Sequence, residues 1–88
     1  MSADYDLNLS KEARSVFDAL GGGLARGGEL FRRSGCDKED VFVAAVRELA
    51  EKGLVNVEGE IAPSVVMLAI VSARPSAYEF VQRAKRAW

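Results

Sequence analysis

Residues 37–57 read DKEDVFVAAVRELAEKGLVNV, and three signals in that stretch decide the fold. Phe42, Ala45, Val46 and Leu49 fall at i, i+3, i+4 and i+7, the spacing that lines one face of an α-helix and leaves the other to solvent. Asp37 precedes that run and Asp40 follows it by three residues, a carboxylate form of the capping box, so Asp37 is expected to cap the helix. Gly53 is the stop, and Leu54-Val55-Asn56-Val57 reads at once as a half-buried strand.

Beyond it, Glu58-Gly59-Glu60 makes a turn, Pro63 bars regular pairing nearby, and Val65 to Ser72 supplies a return strand that closes a hairpin. VVMLAIV is apolar on both sides of the pleat, which implies that its second face is covered by the last helix or by another chain. Pro75 suits the first turn of that helix, about residues 75 to 87. In it, Tyr78, Val81 and either Trp88 or Phe80 with Ala84 can pack inward, and Arg83, Lys85 and Arg86 complement the dipole at its end.

Working back from Asp37, Ser34-Gly35-Cys36 is a turn in which Gly35 can take a positive φ. Cys36 is expected to point into the core as a small hydrophobe, because the chain has no histidine to activate its thiol. A short helix over about 28 to 34 is anchored by Leu30 and Phe31, and Leu24-Ala25-Arg26 is long enough only for a short strand. Gly21-Gly22-Gly23 ends a first helix, residues 11 to 20, whose cap is Ser10 and whose apolar face is Ala13, Val16, Phe17 and Leu20. Five glycines in positions 21–28 complete no phosphate-binding pattern and read as loop and cap residues. Residues 1–9 are expected to be a flexible tail and 10–88 a single domain.

At 49% hydrophobic and 28% charged, the 88 residues fall in the globular range, and a domain this small gains from burial against a partner. The net charge of -1 hides an asymmetry. Residues 37–60 carry three cations against seven carboxylates, a net of -4, whereas 61–88 carry four against one, a net of +3. A lone cysteine makes no internal disulfide, and the polar, acidic start MSADYDLNLS lacks the features of a signal peptide, so a cytoplasmic location is expected. The longest apolar run, Val65 to Val71, is too short to cross a bilayer. Without histidine, a cysteine pair or a nucleotide loop, neither an enzyme nor a cofactor site is expected.

The order helix, short strand, helix, turn, helix, hairpin, helix resembles the winged helix-turn-helix superfamily over about residues 10 to 72. The resemblance is carried by Glu29-Leu30-Phe31, Gly35-Cys36, Phe42, Ala45-Val46 and the LxxxGLV formed by Leu49 and Gly53-Leu54-Val55. It implies an α+β fold: a three-helix core, a small antiparallel β-sheet with a wing, and an extra C-terminal helix of the kind that mediates dimerisation. It also implies a DNA-binding module, a small transcription regulator acting as a homodimer, with its third helix in the major groove of double-stranded DNA. Lys38 and Arg47 would then face the groove, and Arg26, Arg32 and Arg33 would clamp backbone phosphates.

The outward positions of the third helix are expected to be Lys38, Glu39, Val43, Ala44, Arg47 and Glu51. Asp37, Glu39 and Asp40 repel phosphate there, and the tip Glu58-Gly59-Glu60 offers no cation. An alternative therefore stands beside the first: a winged-helix adaptor or dimerisation domain that meets protein instead of DNA. Its interface candidates are Val43 and Ala44 on the third helix, Val66 and Leu68 on the return strand, and Tyr78 and Trp88 on the last helix.

Overall fold

A computed structural model describes residues 8–84. The protein is α+β: α1 (Lys11–Leu20), β1 (Leu24–Arg26), α2 (Gly27–Ser34), α3 (Glu39–Glu51), β2 (Val55–Glu58), a 3₁₀ turn (Val65–Leu68), β3 (Ile70–Ala73) and α4 (Pro75–Ala84). The strands form one antiparallel sheet in the order β1-β3-β2. Ala25 and Val57 flank Val71, while Leu24 and Asn56 flank Ser72.

α1 starts where its sequence says it should. Ser10 is extended and its Oγ accepts the Ala13 amide at 3.2 Å, satisfying one of the first-turn donors that a helix leaves open. Ala13, Val16, Phe17 and Leu20 are buried. Leu9, assigned by its sequence to the tail, is also buried in the core, while Asn8 is exposed; residues 1–7 of that expectation lie outside the described residues.

The start of α3 is a correction. Asp37 does not cap it: the N-cap residue is Lys38, extended at φ -125°, and it makes no side-chain cap bond. Glu39 and Asp40 occupy the first turn instead, where negative charge suits the positive end of the helix dipole. The apolar face is as its spacing requires, with Phe42, Ala45, Val46 and Leu49 all buried. Phe42, Val46 and Leu49 each contribute roughly 1.5–3 kcal/mol on leaving water, so this face is a large part of what holds the helix in place.

The hairpin differs from its sequence-based outline. Leu54 precedes the strand: its amide bonds the Leu49 carbonyl at 2.9 Å and its side chain is fully buried. On the return, the apolar run does not stay extended. Ser64 takes φ 70°, the Val65 amide bonds the Pro63 carbonyl at 2.8 Å and the Val66 amide bonds the Ala62 carbonyl at 2.9 Å, so VVML curls into the 3₁₀ turn. Only Ile70–Ala73 pairs with β1 and β2. The continuous apolarity thus reflects a turn that sends Val66 into the core and leaves Leu68 73% exposed, in place of a strand covered on both faces.

One core joins these elements, with Phe17, Leu30, Phe42, Leu49, Leu54, Val66, Val71 and Val81 among its fully buried members. α4 joins the core through Ala77 and Val81, with Tyr78 half-buried 6.3 Å from the Phe17 ring. Gly22 makes that approach possible, since a Cβ there would sit 2.9 Å from the Tyr78 ring. Lys85, Arg86 and Trp88, and the expected inward packing of Ala84 and Trp88, lie outside what is described.

Candidate functional site

Two surfaces combine exposure with chemistry. The first is the outward face of α3. Asp40, Ala44, Arg47 and Glu51 are exposed at i, i+4, i+7 and i+11, one stripe along the helix, and Asp37 and Lys38 are exposed just before it. Glu48 lies beside the stripe and accepts the Ser10 amide at 2.8 Å.

The connection from β2 to the 3₁₀ turn is tied to this helix at two points. Arg47 Nη2 donates to the Ile61 carbonyl at 2.8 Å, and the Glu39 carboxylate accepts the Ser64 amide. A guanidinium bound to its own chain has fewer donors left for a ligand. Glu58 and Glu60 at the tip of the hairpin are exposed carboxylates as well.

The second surface is a groove between α2 and the 3₁₀ turn, lined by Arg26, Gly28, Glu29, Phe31, Arg32 and Met67. Its floor is apolar. Phe31 is held by an edge-to-face contact with Phe42, ring centroids 5.3 Å apart, and Met67 is carried in by the turn. Arg26 and Arg32 are exposed on its rim, while Glu29 pairs with Arg33 at 3.7 Å along the outside of α2. The turn is set down on α2 by the Gly27 amide, which donates to the Ala69 carbonyl at 2.8 Å.

The structure distributes the cations expected to meet phosphate over both surfaces. Arg26 and Arg32 come together at the groove, Arg33 is turned to Glu29, and Lys38 and Arg47 stand on α3. Of the expected interface residues, Ala44 and Leu68 are exposed and Tyr78 is half-buried. Val43 and Val66 are corrections: at 6% and 0% exposure both belong to the chain's own core, Val43 because it faces inward beside the main stripe and Val66 because of the turn. Trp88 lies outside the described residues.

Sequence reasoning missed Phe31 and Met67 as partners in a groove, and Leu24, which is 70% exposed on β1. The available signal was Arg26-Gly27-Gly28, a cation beside two residues without side chains. Cys36 is half-buried against the core and not deep within it. Among the described residues, no group of three or more histidine, cysteine or acidic side chains is placed to hold a metal ion, and no helix is long and apolar enough to cross a membrane. Compared with known protein families and with curated proteins, the chain matches none.

Proposed function

We propose that the chain is a winged-helix module whose ligand is another protein and not duplex DNA. The element order supports the winged-helix part of the reading. A strand between the first two helices pairs with the second arm of a hairpin that follows the third helix, in the order β1-β3-β2.

One observation carries the functional part. The stripe of α3 that would face a major groove presents Asp40, Ala44, Arg47 and Glu51, with Asp37 and Lys38 just before it, and Arg47 is bonded to the Ile61 carbonyl of the wing. Base edges and phosphates are met by arginine, lysine, asparagine and glutamine, and a carboxylate facing phosphate costs affinity.

The test is a fluorescence-anisotropy titration with random duplex DNA from low to physiological salt. The expected result is no saturable binding in the 10⁻⁴–10⁻⁶ M range typical of nonspecific DNA binding. Saturable, salt-dependent binding that Arg47→Glu abolishes would overturn the reading in favour of a DNA-binding regulator.

A further inference from the structure

We infer that the groove between α2 and the 3₁₀ turn is the docking site of this module, and that its occupant is an acidic peptide segment with apolar anchors from another protein. The inference rests on the protein-binding reading above and adds the place and the chemistry of the partner.

Charge complementarity selects the occupant. The floor, Phe31 and Met67, takes an aliphatic or aromatic side chain, and Gly28 keeps that floor low, because a Cβ there would already touch Met67 at 3.5–3.9 Å. The rim carries Arg26 and Arg32 with Glu29 as the one acid, and Glu29 is paired with Arg33. A segment that alternates carboxylates with leucine or phenylalanine matches this pattern, seating the apolar group between two guanidiniums that bind carboxylates through paired N–H donors. The adjoining 3₁₀ turn extends the apolar surface through Leu68 and Val65, which are 73% and 41% exposed.

The probe is a short fluorescein-labelled peptide alternating Asp or Glu with Leu or Phe, compared with versions in which lysine replaces the acids or serine replaces the apolar residues. Only the acidic, apolar version is expected to bind, and more weakly as salt rises. The double variant R26E/R32E should weaken binding about tenfold, the scale of removing two exposed ion pairs and adding two repulsions. Both side chains are exposed, so the variant keeps its fold, which circular dichroism checks. E51R on α3 should leave the affinity unchanged.

Backbone amide shifts of the wild-type protein map the site without any variant. Shifts confined to residues 26–32 and 65–69 support the inference. No binding at low salt, or shifts confined to α3, overturns the groove as the docking site while leaving the module's protein-binding role standing. Self-association of the chain that R26E/R32E dissolves would make the occupant a second copy and overturn the peptide partner. Binding of duplex DNA mapped to α3 would remove the protein-binding reading itself.

Discussion

Gly27→Ala is expected to be strongly destabilising although it adds a single carbon. Gly27 opens α2, and a Cβ built on it would lie 1.8 Å from the Val66 carbonyl oxygen and 2.8 Å from the Val66 carbonyl carbon. The first distance is roughly half the ~3.5 Å at which non-bonded heavy atoms settle. Neither obstacle can retreat easily. The Val66 side chain is fully buried, its amide bonds the Ala62 carbonyl, and the Gly27 amide is itself held by the Ala69 carbonyl. Inserting one carbon into a packed site costs about 1–3 kcal/mol, and a clash with fixed main chain belongs at the upper end. Alanine recovers at most ~1 kcal/mol of helix propensity, which leaves a net loss of about 2–3 kcal/mol. In a domain of this size that lowers Tm by roughly 10–20 °C, read by thermal denaturation followed by circular dichroism. Gly28→Ala is the internal control, since its Cβ would make only ordinary contacts with Met67 at 3.5 Å and beyond, and its Tm should match the wild type or exceed it slightly. A G27A protein as stable as the wild type would refute the close seating of the turn on α2, and with it the shape of the groove.

Ser10→Ala removes the bond to the Ala13 amide and is expected to cost about 1 kcal/mol in urea denaturation, whereas Asp37→Ala, at a position that caps nothing, should stay within ~0.5 kcal/mol of the wild type. Leu49→Ala, in the fully buried stripe of α3, should cost about 2–5 kcal/mol by the same measurement. Arg47→Gln gives up the exposed bond to the Ile61 carbonyl, worth about 0.5–1.5 kcal/mol. Its effect should be seen in faster amide hydrogen exchange around residues 61–65 without a matching change at Leu49, and uniform acceleration through the domain would show that the tie is not local.

The elements that were legible in the sequence are those whose cause is local. Ser10 and the Ala13, Val16, Phe17, Leu20 spacing specify α1 within their own turns, and Phe42 to Leu49 do the same for α3. The start of α3 was not legible because Asp37-Lys38-Glu39-Asp40 offers several cap registers, and the choice of Lys38 is coupled to a distant event, the Glu39 carboxylate taking the Ser64 amide. VVML misled for a related reason. Its β-branched residues favour a strand by composition, but the reversal at Pro63-Ser64 and the bare surface of Gly27 and Gly28 favour a turn. The arginines of the groove could be read as charge, while its floor forms only when Phe31 and Met67 meet through the tertiary fold.

Magnitudes separate the two ligand classes. If Arg26 and Arg32 were the whole contact with a duplex, neutralising two phosphates would give a slope of about -1.8 in log K against log salt, a loss of only about tenfold between ~50 and ~200 mM; proteins that hold DNA through six to ten such contacts lose about 10³–10⁵ over the same interval. By that measure two arginines, with Asp40 and Glu51 exposed on α3, are too few contacts for tight duplex binding, whereas the proposed acidic segment needs them only to orient it. For that segment a single apolar anchor is too little. Burying one leucine contributes about 1.5–3 kcal/mol and each exposed ion pair ~0.2–1 kcal/mol, against an association cost of at least ~4 kcal/mol. A partner that stays bound must therefore reach beyond Phe31 and Met67 to the remaining exposed side chains of the turn. Leu68→Ser is the substitution that tests this: at 73% exposure it should leave Tm unchanged while weakening the acidic peptide about tenfold in the anisotropy titration. An unchanged affinity would confine the partner to the groove and leave its binding energy without a sufficient source.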